Sequence, residues 1–261
     1  FAISANAAGT MTIEEFSRLQ VYFITFNLAA LFLTFWILPK LVTAFTPFKY
    51  KDVVGTSKDA LITAFTTGNL FIILPSLIEN CKALFEKYEL KQEHTGSYID
   101  VMIPVYFNFP NLGKLIMLLF ILFAGWLSGS TVQLARYPEF VITGLVSFFG
   151  GVDVAMPFML DLMRIPTDLY QLYIVTGILN GRFATLLAAM NLLVFTLLVT
   201  CAISRILAVN LRKIIAYTTI TSALTAGVII GTYGVLSYSV KTIYTKDKVV
   251  AGMQLIDDPA D

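Results

Sequence analysis

Arg182 lies in the middle of the apolar stretch ILNGRFATLLAAMN, which runs from Ile178 to Asn191. On the mildest scale an arginine at the centre of a bilayer costs roughly 2.5–3.5 kcal/mol, so a compensating partner is expected. The guanidinium is a planar fork of N–H donors that matches the two oxygens of a carboxylate. Two partners remain open: the carboxylate of a bound solute, or a protein acid such as Asp153 or Asp161 in a permanent ion pair.

The polar residues around Arg182 do not all share its side of a helix. Thr185, three positions later, lies on nearly the same face, whereas Asn180 is rotated away by about 200° on an ideal helix. A local distortion at Gly181 is needed to bring Asn180 and Arg182 to one cavity. Asn191 is rotated by about 180° from Arg182 and is expected to line a different surface.

Three breaks in other apolar segments also carry polar groups. In TTGNLF (66–71) a helix that starts after Thr67, Gly68 and Asn69 offers free N–H groups and a positive dipole end to an anion, unless this is only a turn. In NFPNLG (108–113) Pro110 frees a carbonyl beside Asn108 and Asn111. Such carbonyls coordinate Na⁺ in transporters with broken helices, although a structural kink explains the same residues equally well.

Two charged residues accompany these breaks. Lys114 follows the central break and precedes LIMLLF, too deep in apolar sequence to reach water comfortably. Asp153 lies in GGVD (150–153), beside Gly151, and a carboxylate at membrane depth is by default functional. Asp153 is expected either to pair with Lys114 or Arg182, or to cap the helix that follows it.

The composition indicates a membrane protein. Hydrophobic residues make up 57% of the 261 residues and charged residues 13%, compared with about 25% charged residues in soluble domains. A net charge of +1 gives no reason to expect nucleic acid, and a single histidine cannot build a zinc cluster. The opening residues lack the basic region of a signal peptide, and we expect the chain to be a fragment of a longer protein.

Six apolar segments separated by charged loops predict an all-α membrane protein. The predicted parts are an extracytoplasmic segment 1–20, a span 21–39, a hairpin 58–86, a broken span 99–129, a hairpin 138–165, a span 168–204, a cytoplasmic loop 205–213, an extra transmembrane helix 214–236 and an extracytoplasmic tail or linker 237–261. Residues 21–204 would form the transport core.

Loop charges predict that both hairpins are re-entrant. Three basic loops lie around Lys49, Lys87 and Arg212, and the positive-inside rule places such loops in the cytoplasm. All three loops can be cytoplasmic only if each hairpin enters and leaves on the same side of the membrane. The same rule predicts an extracytoplasmic C-terminus.

The order of these features resembles the dicarboxylate/amino acid:cation symporter family, which has the glutamate-transporter fold. KDALITAFTTGNLFIILP (58–75) is similar to its first hairpin, and GVDVAMPFML (151–160) to the tip of its second hairpin. NFPNLG (108–113) is similar to the family's central helix break, and LNGRF (179–183) to its last core helix.

The resemblance implies a secondary active symporter for a dicarboxylate or amino acid in a bacterial-type inner membrane. It further implies a homo-oligomer, a trimer in the family, and a link to a solute-binding domain in some members. No cofactor is expected; Na⁺ or H⁺ is the expected coupling ion, with any Na⁺ near Asn108. Taken together with the residue chemistry above, the predicted substrate-binding residues are Arg182, Thr185, Asn180, Thr67, Gly68, Asn69, Asp153 and Gly151, and the predicted ion-coupling residues are Asn108, Asn111, Lys114 and Asn191.

The chain departs from the family pattern at several site positions. GNLF (68–71) replaces a serine-rich tip, and Pro110 stands where the family has a sodium-binding aspartate. In the amino-acid carriers of the family an aspartate just before the arginine binds the ammonium group of the substrate, and here Asn180 is the residue nearest that position. Met190 occupies the position where an ion-binding residue is expected. Lys114 is then a candidate for the positive charge that sodium supplies in relatives. Transport would be independent of ions or coupled to protons; a fixed ion pair with Asp153 is the alternative.

Another class of function is a transport-incompetent receptor, or a membrane anchor for an extracytoplasmic solute-binding domain. The extra helix 214–236 and the polar tail DDPAD favour it. An enzyme is not expected, because intramembrane aspartyl proteolysis needs two aspartates in facing motifs, and Asp153 has no such partner in the sequence.

Overall fold

The computed structural model describes residues 13–208 and 211–231, with side chains from Leu19 onward. All regular structure in these residues is helical, so the predicted all-α fold class is confirmed. The helices are α1 (Ile13–Phe32), a π-helical turn (Leu33–Ile37), α2 (Leu38–Phe45), α3 (Tyr50–Thr67), α4 (Leu70–Lys87), α5 (Thr95–Phe107), α6 (Leu112–Leu115), α7 (Leu119–Leu127), α8 (Tyr137–Ser147), α9 (Val152–Leu162), α10 (Tyr170–Ile203) and α11 (Leu211–Gly231). Short 3₁₀ turns cover Ile116–Leu118, Leu134–Arg136 and Thr167–Leu169. Three predicted parts lie wholly or partly outside the described residues: the segment 1–20 as far as residue 12, the end of the span 214–236, and the tail 237–261.

Four stretches of the described residues are long and apolar enough to cross a membrane. They are Leu19–Phe45, Thr95–Leu127, Thr167–Ile203 and Leu211–Gly231. The two helical hairpins, α3–α4 and α8–α9, are not among them. Their re-entrance into the membrane therefore stays a prediction.

Helix α10 forms the centre of the fold. It has 34 residues, and the five consecutive residues Leu186–Met190 are all buried. A helix buried on every side needs apolar residues around its whole circumference, which explains the absence of a polar stripe in this stretch. Against it pack α1, both arms of the first hairpin and both halves of the broken helix.

The first hairpin turns at Gly68, whose φ of +64° lies in the left-handed region that glycine adopts without strain. Asn69 caps α4 by accepting a hydrogen bond from the Phe71 N–H at 2.9 Å. Helix α3 begins at Tyr50, eight residues before the predicted start of the hairpin at residue 58. Asp52 in the first turn of α3 favours this earlier start, because a negative charge stabilises the N-terminus of a helix.

The second hairpin is shorter, with 11 residues in each arm. Its arms are α8 and α9, and Phe148–Gly151 connect them within the predicted limits 138–165. At about 1.5 Å per residue each arm is roughly 16 Å long, or half the thickness of a membrane core.

The central helix is broken between Phe107 and Leu112, inside the predicted span 99–129. Asn111 caps the second half by accepting from the Lys114 N–H at 3.1 Å. The Asn191 amide oxygen, on α10, accepts from the Leu112 N–H at 3.2 Å and from the Tyr106 hydroxyl at 2.9 Å. Asn191 therefore joins both halves of the broken helix to α10.

The π-helical turn between α1 and α2 is fixed by two tyrosines from other helices. The Tyr50 hydroxyl donates to the Phe35 carbonyl at 2.6 Å, and the Tyr217 hydroxyl donates to the Ile37 carbonyl at 3.2 Å. The second of these bonds attaches α11 to the first span.

Candidate functional site

A cavity of about 470 Å³ lies where both hairpin tips, the central break and α10 meet. Its size is within the range of small-molecule sites. Its walls are Gly68–Phe71 from the first tip, Phe107, Asn108, Asn111, Gly113, Lys114 and Met117 from the broken helix, Phe149 and Val152 from the second tip, and Gly181, Ala184, Thr185 and Ala188 from α10. Four elements far apart in sequence thus surround one space.

Close packing of α6 on α10 forms the floor of this cavity. A Cβ atom on Gly113 would lie 2.1 Å from the Ala184 carbonyl oxygen and 2.7 Å from the Ala188 Cβ. Only a glycine allows the broken helix to approach the backbone of α10 this closely. The positions of Asn111 and Lys114 relative to Thr185 depend on this contact.

Arg182 borders the cavity without lining it. Its guanidinium donates to the Thr66 carbonyl and, at 3.5 Å, to the Phe65 carbonyl. These carbonyls belong to the last turn of α3, where helical partners are missing and the dipole is negative. The Arg182 side chain covers Gly68 so closely that a Cβ there would lie 3.1 Å from the arginine Cδ.

The protein partner of Arg182 is therefore a helix end rather than one of the predicted acids, Asp153 and Asp161. None of the ion pairs between described residues includes Arg182, Asp153 or Asp161. Main-chain carbonyls compensate the charge of the half-buried Arg182 without using an acidic side chain. Both contacts use Nη1, so the N–H groups of Nε and Nη2 take no part in them.

Lys114 is the charged side chain that faces the cavity. It is half-buried, and its Nζ lies 3.4 Å from the carbonyl of Phe148, at the end of α8. The predicted alternative, an ion pair with Asp153, is absent from the described residues. Arg182 and Lys114 thus have equivalent positions, because each contacts a carbonyl where the first arm of a hairpin ends.

The predicted substrate-binding residues fall into two groups. Gly68, Asn69 and Thr185 line the cavity, while Thr67 donates from its hydroxyl to the Thr63 carbonyl at 2.7 Å. Asp153 and Gly151 are exposed and do not line the cavity. The Asp153 carboxylate lies beside Tyr170 on the side of the second hairpin that faces the start of α10.

Asn180 does not line the cavity and lies on the part of α10 that packs against α1. It is completely buried beside the Tyr22 hydroxyl of α1, and neither side chain makes a hydrogen bond of normal geometry. No distortion at Gly181 turns Asn180 toward Arg182, because α10 runs unbroken through this region. Asn180 therefore belongs to the contact between α10 and the first span.

The predicted ion-coupling residues offer few free oxygen atoms. Both lone pairs of the Asn191 amide oxygen are used, and the Asn111 oxygen accepts from Lys114. Asn108 donates to the Pro104 carbonyl at 2.8 Å and is exposed. Pro110 supplies no carboxylate and the Lys114 ammonium lies on the same wall, so the side chains of the break offer no acid to a sodium ion; a sodium site built from main-chain carbonyls near Asn108 stays a prediction.

The groups that contact the side chains of Arg182 and Lys114 were not predicted from the sequence. Most of the apolar lining of the cavity was not predicted either. Phe107, Met117 and Phe149 line the cavity, and the carbonyls of Thr66 and Phe148 bind the cations. Every residue has a main-chain carbonyl, so the sequence does not show which carbonyls will accept a hydrogen bond from a side chain. The aromatic residues in GNLF and SFFG were available as signals of apolar tips.

The profile of the sodium:dicarboxylate symporter family matches residues 1–202. The match covers both hairpins, the central break and α10 up to its penultimate residue, and confirms the resemblance found in the sequence. Helix α11 lies beyond it. No curated protein matches the chain.

Proposed function

The chain belongs to the sodium:dicarboxylate symporter family, and we propose that it is a secondary transporter whose solute binds in the cavity between the two hairpin tips. The observation that supports this most directly is the convergence of both tips, the central break and α10 on one space of about 470 Å³. Helix and hairpin ends that meet inside an apolar bundle are typical of transporter binding sites. The protein is an integral membrane protein; its inner-membrane location and extracytoplasmic C-terminus are part of this proposal.

Arg182 is the first carboxylate-binding group of the proposed site. In the arrangement described, its guanidinium occupies the end of α3 through the Thr66 carbonyl. A carboxylate is a stronger acceptor for a guanidinium than a neutral carbonyl and can accept two parallel bonds. Solute binding would then exchange a contact to the first hairpin for a contact to the solute.

Lys114 is the second carboxylate-binding group of the proposed site. It lines the cavity, and its ammonium group makes a long contact of 3.4 Å to the Phe148 carbonyl. The described lining contains no acidic side chain that would bind an ammonium group. The site therefore favours a solute with two carboxylates and no amine, a dicarboxylate rather than an amino acid.

The coupling ion follows from the same residue. Lys114 places a positive charge on a wall that has no acidic side chain to offer a sodium ion, and the Asn191 oxygen on α10 already accepts two hydrogen bonds. We propose that this ammonium replaces the charge of a co-bound cation, so that solute binding does not require sodium. Asn111 and Asn191 then stabilise the break instead of coordinating an ion.

The test is uptake of labelled dicarboxylates and amino acids into liposomes that contain the purified full chain. We expect accumulation or exchange of a dicarboxylate at equal rates in sodium and choline buffers, and no uptake of acidic amino acids. Lys58→Gln is a suitable control for substitutions of Lys114, because Lys58 is an exposed lysine of the first hairpin that does not line the cavity. Uptake that requires sodium would contradict the assignment of Lys114.

A receptor or membrane anchor for a solute-binding domain is the second candidate function. It is favoured by α11, which lies outside the family match and is attached to the first span through Tyr217. Specific dicarboxylate binding to the purified chain, without accumulation or exchange in liposomes, would favour this candidate over the transporter. Homo-oligomerisation belongs to the same set of proposals and is measured by the mass of the purified protein in detergent.

A further inference from the structure

A second cavity, independent of the proposed solute site, lies between the π-helical turn, the base of the first hairpin and α11. Its volume is about 500 Å³. Three lysines line it, Lys40, Lys49 and Lys213, and no acidic side chain does so. Its lining is therefore basic, and α11 supplies one wall.

The other walls of this cavity are apolar or aromatic. Trp36, Phe48 and Tyr50 line one side, and Tyr217 and Ile220 the other. The Lys40 Nζ lies 5.3 Å from the centre of the Trp36 ring and 5.2 Å from that of Tyr50. The cavity thus combines a cationic part with an apolar part, as an occupant with a charged head and an apolar body requires.

The position of the cavity along the helices indicates the surface of a bilayer. Trp36 and Lys40 lie in the last turns of the candidate span Leu19–Phe45, and Lys213 and Tyr217 in the first turns of the candidate span Leu211–Gly231. Lysine, tryptophan and tyrosine are the residues found where membrane-spanning helices meet the headgroup region. Basic pockets between transmembrane helices at this level bind anionic lipid headgroups.

We infer that this basic cavity binds the phosphate-bearing headgroup of an anionic phospholipid. The lysine ammonium groups bind the phosphate, and the glycerol and upper acyl chains pack on Tyr217 and Ile220. The indole N–H of Trp36, which has no acceptor among the described residues, belongs to the same wall. The lipid would join α11 to the first span and to the first hairpin, beside the bond from Tyr217 to Ile37.

Lipid titration of the purified full chain tests this inference. The thermal unfolding midpoint in detergent is measured with added phosphatidylglycerol and, separately, phosphatidylcholine. A ligand that binds only the folded state raises this midpoint, and the shift grows with the logarithm of the ligand concentration relative to its Kd. We expect a shift of several degrees with phosphatidylglycerol only, loss of this shift in Lys40→Gln and Lys49→Gln, and its retention in Lys40→Arg.

Lys51→Gln is the matched control, because Lys51 is an exposed neighbour of Tyr50 that does not line the cavity. An equal phosphatidylglycerol shift in the wild type and in all lysine variants would overturn the inference, since it would report a general charge effect. Inorganic phosphate and glycerol phosphate form the soluble arm of the experiment. A shift of the same size with either of them would also overturn it, because the cavity would then bind a free anion. If Lys40→Gln does not fold, native mass spectrometry of lipids retained by Lys49→Gln and Lys51→Gln gives the same comparison.

Discussion

The guanidinium of Arg182 donates a hydrogen bond to the main-chain carbonyl of Thr66, across the gap between α10 and the tip of the first hairpin. The Lys114 ammonium makes the corresponding contact to Phe148 at the second hairpin. Each hairpin tip is thus held by a cation at the negative end of its first arm. Binding of an anion between the tips would weaken both contacts together.

Replacing Arg182 tests its role in solute binding. We expect Arg182→Ala to abolish uptake and Arg182→Lys to weaken the apparent solute affinity, because lysine keeps the charge without the planar fork. A hydrogen bond to a charged group contributes about 1.5–3 kcal/mol, which corresponds to roughly a 10- to 100-fold change in affinity. Uptake kinetics in liposomes measure this change. Wild-type affinity in Arg182→Ala, with normal unfolding, would contradict the assignment.

Replacing Lys114 with methionine tests whether Lys114 binds the second carboxylate of the solute. If Lys114 binds the second carboxylate, competition by dicarboxylates falls about 10-fold or more. Competition by monocarboxylates of similar size stays unchanged, because Arg182 is still present. Lys114→Arg should retain much of the discrimination between the two kinds of competitor. An equal loss for both kinds would show that Lys114 only supports the fold.

Gly113→Ala tests the close approach of the broken helix to α10. The added methyl group would lie 2.1 Å from the Ala184 carbonyl oxygen, and overpacking of this kind costs about 1–3 kcal/mol. Gly177→Ala is the matched control on α10, since nothing lies within 4 Å of its added Cβ. We expect a lower unfolding midpoint for the first variant and an unchanged or higher one for the second. Equal midpoints would mean that the backbone adjusts without cost.

Asn191→Leu removes an acceptor that two donors share. The Leu112 N–H and the Tyr106 hydroxyl lose their partner, and an unsatisfied buried donor costs about 1–3 kcal/mol. Asn108→Leu is the comparison, because Asn108 is exposed at the same break. Unfolding in detergent is expected to show a clear loss for Asn191→Leu and a small one for Asn108→Leu. The opposite order would place the stabilising contact on Asn108.

The base of the first hairpin gives a dependence of stability on pH. The hydrogen bond from Lys87 at 2.7 Å, followed by that from the Tyr88 hydroxyl at 2.5 Å, lowers the pKa of Asp52. A lowered pKa stabilises the fold at pH values above the unfolded pKa of about 4, and this contribution is lost as the pH falls through the folded value. We expect Asp52→Asn to be less stable than the wild type at neutral pH, with the two curves converging in acid. Parallel curves down to acid pH would exclude this contribution.

Much of the fold was predictable from breaks and charges in the sequence. The break at NFPNLG, the turn at GNLF and the long apolar helix around Arg182 all correspond to elements of the structure. The start of α3 at Tyr50 was not predictable from hydropathy, because its first two turns are polar and are fixed by Asp52, Lys87 and Tyr88.

The site was predictable in its location more than in its contacts. Helical spacing separates Asn180 from Thr185, and the structure places Asn180 against Tyr22 and Thr185 on the cavity wall. The partner of Arg182 could not be predicted, because it is a main-chain carbonyl that the tip of another element brings close. The functional roles of these residues stay predictions.

The arms of the two hairpins have unequal lengths, and this predicts unequal access to water for two re-entrant hairpins. Helix α3 has 18 residues and is about 27 Å long, whereas half of a membrane core is about 15 Å. If the hairpins are re-entrant, as the loop charges predict, and Gly68 lies at mid-depth, the first two turns, Tyr50–Ser57, would project beyond the hydrocarbon, whereas the 11-residue arms of the second hairpin would end at its boundary. In that arrangement α3 would connect a water-exposed surface directly to the Thr66 carbonyl that Arg182 contacts, so that the site at mid-depth and the membrane surface share one rigid helix.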